Sequence, residues 1–212
     1  MEELLDVIDE TDVVIGQATR AAVHAQGLWH RGAHVFLFTA DGKLLIQKRS
    51  AERVQYPSVW DCSVSEHVKA GESYPVAAQR GLWEELGLAG VDLRPRVRFR
   101  MNYGPNDNEI SVLFSGTVDP ACVCFDPGEI AQVDYHSLDE LKNILRDKTL
   151  PLSHWFVQLL HWFLDLPSEM KIIETYEESQ WMKICACSDD FNRPFRQTTE
   201  VVTTKSSSTE SR

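Results

Sequence analysis

The stretch that decides the fold is residues 71–88, GESYPVAAQRGLWEELGL. Ser73 offers an N-cap oxygen, Pro75 falls in the first turn where its missing N–H does no harm, and Gly87 suits a left-handed helix end. On a wheel of ~100° per residue, Pro75, Gln79, Leu82 and Leu86 share one sector, while positions 81, 84 and 85 share another. Glu84 and Glu85 are therefore expected to point together, away from the core. Adjacent carboxylates repel, and a shared cation is the simplest way to hold them side by side. Arg80, four residues before Glu84, can steady it by an i,i+4 contact. Gly81 is the anomaly. A helix-interior glycine costs about 1 kcal/mol relative to alanine, and the sequence shows nothing that offsets it.

Working outward, residues 34–39 and 43–48 read as a β-hairpin turning at Asp41-Gly42. Residues 4–15 look like two short strands meeting at Glu10-Thr11-Asp12, and Thr19 caps a short helix through Ala21, Ala22 and Val23. Tyr56-Pro57-Ser58 breaks the chain before an extended run at 60–68. Residues 91–101 and 110–118 are expected strands around a loop at 104–107, and 131–135 is the last strand. Ser137 with Glu140 forms a capping box. The final helix, 152–164, buries Trp155-Phe156 and Trp162-Phe163 in one stripe, and His154 and His161 need no special role there. Strands with helices between them give an α/β or α+β domain.

Composition narrows the function. The 212 residues carry 21 Lys+Arg against 32 Asp+Glu, a formal charge of −11. Binding a nucleic acid polymer depends on neutralising phosphates with Lys and Arg, so such a polymer is excluded as the main partner. With 43% hydrophobic residues the chain can bury a core. No apolar run approaches the ~20 residues that span a bilayer. The acidic start, MEELLDVIDETD, reads as neither signal nor transit peptide, so the expected location is cytoplasmic, with no membrane partner. Five cysteines, including the C-x-C pairs 122/124 and 185/187, suit reduced thiols better than the longer zinc spacings. Nine of residues 197–212 are Ser or Thr, which reads as a disordered tail.

The pattern from Glu72 onward resembles the Nudix box, G-x5-E-x7-R-E-U-x-E-E-x-G-U with U aliphatic. Glu72, Arg80, Leu82, Glu84, Glu85, Gly87 and Leu88 fall in register, seven of the nine fixed positions. HRGAHVFLFTADGKLLIQKRS and YPSVWDCSVSEHVKAGES extend the likeness to the branch that includes isopentenyl-diphosphate isomerase. The resemblance implies an αβα sandwich around a mixed β-sheet. It places an N-terminal hairpin and helix at 1–30, the Nudix domain at 31–166, an extension at 167–196 and the tail beyond. It also implies Mg²⁺ (or Mn²⁺) held by Glu72, Glu84 and Glu85 against a diphosphate, with Arg80 orienting the acids and Glu109 as an outer ligand or base. Arg49, Lys48 and His67 are the expected substrate contacts. His67 also falls on a metal-binding histidine of the isomerase, and His24 and His30 sit near two others, spaced one residue shorter.

Two positions depart from the box: Glu66 stands at its first Gly, and Gly81 at the first Glu of R-E-U-x-E-E. The missing carboxylate implies weaker metal binding and slower turnover, so a glutamate restored at 81 is expected to raise the rate. Glu66 is the available substitute. The isomerase's cysteine falls on Ser65, and a hydroxyl does not readily replace a thiol of pKa near 8.5. The acidic segment Asp107-Asn108-Glu109 survives. Arg94, Arg96, Arg98 and Arg100 alternate along one strand face, which reads first as an outward face paired with acids. The leading expectation is a pyrophosphohydrolase cleaving a nucleoside-diphosphate-linked small molecule. The alternatives are a weakened Nudix fold that binds a diphosphate or a protein, and an isomerase relative. The sequence leaves the oligomeric state open.

Overall fold

The computed structural model describes residues 2–53 and 55–176. The expected disordered tail and the pair Cys185/Cys187 lie outside the described residues. An antiparallel hairpin, β1 (Leu4–Ile8) and β2 (Val14–Thr19), opens the chain. The Asp9 carboxylate closes its turn by accepting from Thr11 N (2.8 Å) and Val13 N (3.1 Å). Helix α1 (Arg20–Gln26) follows, capped by Thr19 Oγ1 and ended by Gly27 at φ +64°. Then come β3 (Trp29–Phe38), β4 (Leu44–Arg49), β5 (Trp60–Asp61), β6 (Val64–His67), α2 (Tyr74–Leu86), β7 (Arg94–Gly104), β8 (Asp107–Thr117), β9 (Ile130–His136), α3 (Leu138–Asp147), α4 (His154–Phe163) and β10 (Lys171–Thr175).

Strand β3 is the hub of an eight-stranded mixed sheet ordered β10-β7-β8-β3-β4-β5, with β6 added on β3 and β9 on β4. It runs parallel to β8 over its whole length and antiparallel to β6. Strand alternation sorts its side chains into two layers. Ala33, Val35 and Leu37 meet Ala77, Ala78, Leu82 and Leu86 of α2. Phe36 faces Trp155, Phe156, Leu159 and Leu160 of α4 and Leu141 and Ile144 of α3. The result is the αβα sandwich that the box resemblance implies.

Three local expectations change. Strand β7 keeps its expected length but lies three residues further along, and β8 begins three residues earlier, so that only Pro105-Asn106 separate them, with Asn106 at φ +61°. Asp107 therefore belongs to a strand and not to a loop. Strand β10 was not expected, and the sheet continues past residue 166. All five of its residues are exposed, so its sequence carries no alternation to read. Ser73 occupies the N-cap of α2 with extended backbone, but its hydroxyl makes no capping bond.

Within the arginine row on β7, Arg98 and Arg100 are paired with acids from other elements, in line with the first reading. Arg98 Nη1 lies 3.1 Å from Asp12 and its Nη2 3.4 Å from Glu174, and Arg100 Nη1 is 3.0 Å from Glu10. Asp12 also takes Arg31 Nε at 2.6 Å and Tyr74 Oη at 3.0 Å. One carboxylate thus clamps the N-terminal hairpin to the sheet. The fully buried Phe156 sits edge-on to Phe36 at 5.9 Å. Phe156→Ala is expected to cost about 3–5 kcal/mol, read as a lower urea midpoint at unchanged slope.

Candidate functional site

A cavity of about 300 Å³ opens at one end of the sheet. Register alone assembles its floor. His30 on β3 pairs with Glu109 on β8, and Gly32 pairs with Ser111 on β8 and with His67 on β6. Helix α1 adds His24 from the side, with its ring 5.0 Å from that of His30 and 5.3 Å from that of His67. His24 Nδ1 is 3.5 Å from Asp107 Oδ1, His30 Nε2 is 3.4 Å from Glu109 Oε1, and His67 Nε2 is 3.9 Å from the same oxygen. Gly32 is needed here, because a Cβ would fall on Glu109 Oε2 and lie 2.7 Å from Ser111 Oγ.

This cluster fits a divalent cation. Ligand atoms of His24, His30 and His67 lie within 4.8 Å of one another, as do those of His30, Asp107 and Glu109. His24 Nε2, His30 Nε2 and Asp107 Oδ1 are buried without a hydrogen-bond partner, which is costly unless something else engages them. His30 Nδ1 sits 3.1 Å from Leu28 O, so it carries the proton and leaves the Nε2 lone pair to the cluster. Ser111 Oγ donates to Glu109 Oε2 at 2.8 Å. Burial opposes both charges, but with no cation bound the pairing with Glu109 raises His30 so that Nε2 also takes a proton, and that charge holds the Glu109 carboxyl at about 2; a cation would take the place of that Nε2 proton. Burial, aided by the charge of Glu109, lifts Asp107 to about 6, and burial drops His67 to about 3.

The opposite wall is built on Arg80. Its guanidinium donates to Glu72 Oε1 (3.0 Å) and Oε2 (3.2 Å), Glu66 Oε2 (2.8 Å), Glu84 Oε2 (3.0 Å) and the His67 carbonyl (2.8 Å). The expected pairing of Glu84 and Glu85 on one outward face is corrected. The Glu84 side chain is 48% exposed, whereas Glu85 is 7% exposed and takes a 2.7 Å bond from Gln47 Nε2 of β4. Residue 85 sits one step, ~100°, nearer the sheet, and the polar Gln47 receives it. Burial, with Glu66 alongside, pushes the Glu85 carboxyl well up. Glu72 lies behind Arg80, outside the cavity lining, and also accepts from Lys69 N at 3.0 Å. Nor is there room for a glutamate at 81. A Cβ there would be 2.6 Å from Glu66 Cγ and 2.6 Å from Val64 Cγ1.

Arg49 lines the cavity with Arg20, Arg53 and Lys69, while Lys48, on the other face of β4, does not. Arg49 donates to the carbonyls of Tyr56 and Gln55, at 3.2 Å each, and Arg53 pairs with Glu129. Trp155, Tyr56 and Tyr103 supply apolar wall. Trp155 looked like plain core from its heptad pairing. Its indole N–H is in fact held by buried Asp61 at 2.6 Å, with its ring 4.9 Å from that of Tyr56. Ser65 Oγ contacts His34 Nδ1 at 2.9 Å, and His34 Nε2 contacts Tyr103 Oη at 3.1 Å. No local pattern marks that chain of contacts, because its members come from three strands. Cys62, the nearest thiol in sequence, is buried with its Sγ directed at Val64 O, and burial pushes it well up.

Comparison with known proteins agrees with this geometry. The NUDIX domain family matches residues 28–163. An uncharacterized Nudix hydrolase of Streptomyces coelicolor is 40% identical over 102 residues, covering 48% of this chain and 56% of that protein. An isopentenyl-diphosphate Delta-isomerase of Streptomyces griseus is 34% identical over 163 residues, 74% of this chain and 81% of the relative. The chain thus spans little more than half of the first protein and about four fifths of the second. Among solved structures, DR0079 of Deinococcus radiodurans superposes with a TM-score of 0.64 at 24% identity, over 76% of this chain and 98% of that one. A MutT protein of Methanosarcina mazei gives 0.55 at 18%, over 65% and 94%. His24 and Arg20 precede the matched segment, and the rest of the floor lies within it. From its fold, its box residues and these matches, the chain belongs to the Nudix family.

Proposed function

We propose that this chain is a divalent-metal-dependent Nudix hydrolase acting on a small molecule that contains a diphosphate. The observation that carries the reading is the juxtaposition, in one cavity, of the histidine–carboxylate cluster with Arg20, Arg49, Arg53 and Lys69. A diphosphate cannot rest against carboxylates without cations between them. Three imidazoles and two carboxylates suit Mn²⁺ or a similar transition ion better than Mg²⁺, which prefers oxygen and keeps its waters. Once bound, such an ion supplies Lewis acidity toward the phosphoryl oxygens.

The chain's own residues do the rest. Arg49 and Lys69 neutralise the outer phosphate oxygens. Tyr56 and Trp155 offer faces to whatever the diphosphate carries. Burial makes the Glu85 carboxylate a stronger base than that of Glu109, which its pairing with His30 holds low, so proton acceptance is assigned to Glu85. Arg80 positions the acids and does not touch substrate.

A second reading, an isomerase relative, is favoured by the 34% identity to the Streptomyces griseus enzyme over most of its length. Ser65 weighs against it. Carbon protonation by a hydroxyl fixed on His34 is a harder task than by an ionisable thiol. Incubation with isopentenyl diphosphate in heavy water separates the two. Phosphate release without deuterium at carbon is expected, and deuterium incorporation overturns the hydrolase reading. Cation uptake and ligand-induced stabilisation with no turnover on any diphosphate would assign the chain a binding role instead.

Two further outcomes are expected. His67→Ala and Glu109→Gln should each weaken Mn²⁺ binding at least about tenfold by calorimetry, and Glu85→Gln should slow Mn²⁺-dependent phosphate release at least about tenfold while the protein still binds the ion. Asp107 is raised to about 6 and must lose its proton to hold a cation. His30, raised against burial by its pairing with Glu109, must lose a proton as well, so Mn²⁺ affinity should rise with pH from below about 6 and level off only once His30 too is deprotonated, with protons released on binding.

A further inference from the structure

Glu66 and Gly81 face each other across the junction of β6 and α2, and each is where the Nudix box has the other residue. We propose that they are a reciprocal exchange. The strand residue Glu66 supplies the carboxylate that the box places on the helix, and Gly81 gives up its side chain to make room. The proposal rests on the diphosphate–metal reading and adds a cation-binding carboxylate to it.

Three observations support it. The first is steric. The methylenes of Glu66 fill the space over the helix, so that a Cβ at residue 81 would come within 2.6 Å of Glu66 Cγ. A side chain at 81 and a long one at 66 exclude each other, and the helix tolerates its glycine because Glu66 packs on it. The second is orientation. Glu66 does not run out to solvent. Its Oε2 is fixed by Arg80 Nη1 at 2.8 Å, on the same guanidinium nitrogen that binds Glu84. The third is the neighbour. Glu66 lines the cavity together with Glu85, and its charge helps push the buried Glu85 carboxyl up, so the two carboxyls face each other on the cavity wall. Such a pair stays together only with a proton or a cation between its members. Glu72 is the third acid on Arg80, but both its oxygens are taken by Arg80 and the Lys69 amide.

Gly81 is accordingly not the scar of a lost site. It also reverses the expectation drawn from sequence alone, that a glutamate at 81 would raise activity. With Glu66 in place, that substitution has nowhere to put its side chain.

The test is an exchange cycle read by Mg²⁺ and Mn²⁺ calorimetry and by melting temperature without cation. Glu66→Gln keeps the volume over Gly81 and removes the charge. It is expected to weaken Mg²⁺ binding at least about tenfold, while melting far closer to the native chain than Gly81→Ala does. Gly81→Glu alone is expected to melt well below native. Glu66→Gly combined with Gly81→Glu should raise both melting temperature and Mg²⁺ affinity above those of Gly81→Glu alone, with the recovery held below native by Val64 Cγ1, which also lies 2.6 Å from a Cβ at 81. Native Mg²⁺ affinity in Glu66→Gln, with Mn²⁺ binding still lost in His67→Ala, overturns the exchange and leaves the diphosphate–metal reading standing. A native chain that binds neither ion overturns both. Should the double variant not fold, the Glu66→Gln comparison decides.

Discussion

The site depends on one guanidinium. Arg80 has five N–H donors and places them on Glu66, Glu72, Glu84 and the His67 carbonyl, joining strand β6, the turn after it and helix α2. An isolated surface ion pair contributes about 0–1 kcal/mol. Arg80 is a different case, because its side chain is only 10% exposed and three carboxylates converge on it. Without that charge they would repel one another and the wall would splay. The planar fork also fixes directions, which a lysine's single ammonium would not. Its bond to the His67 carbonyl ties the acidic wall to the imidazole cluster, so the two halves of the cavity are held in one register.

On the proposed function, an acidic chain that meets a diphosphate has to resolve a conflict of like charges. Here the resolution is segregation. The anionic side chains are gathered at the sheet end of the cavity, where imidazoles and Arg80 interleave them, and the cations Arg49, Arg53 and Lys69 stand around them. Arg98 and Arg100 of β7, on the strand face read from the sequence as paired with acids, are occupied elsewhere. They bind Asp12, Glu10 and Glu174 and so serve architecture.

Much of the fold was legible because its signals are local. The Asp41-Gly42 turn, the Ser137–Glu140 capping box and the apolar spacing of α2 each speak for themselves within a few residues. The site was legible only in part. The box residues announce themselves by spacing, whereas His24, His30, His67 and Asp107 meet through a parallel β3–β8 register that no short window contains. The helical wheel misjudged Glu85 because it sorts side chains by angle and takes no account of Gln47 waiting on the sheet. Trp155 was hidden by sharing a stripe with true core residues. Gly81 read as a defect because its explanation, Glu66, lies fifteen residues away on another element. Strand β10 escaped because an edge strand with every side chain exposed has no period to detect.

The hairpin at the start of the chain has a thermodynamic consequence. Its turn residue Asp12 is gripped by Arg31, Arg98 and Tyr74, and the helix that continues from it carries His24 to the cavity floor. Docking of that small lobe and occupancy of the floor are linked functions of one another. Whatever engages His24 tightens the lobe by the same free energy with which the docked lobe tightens it. Amide protons of the hairpin are thus a gauge of what occupies the cavity floor.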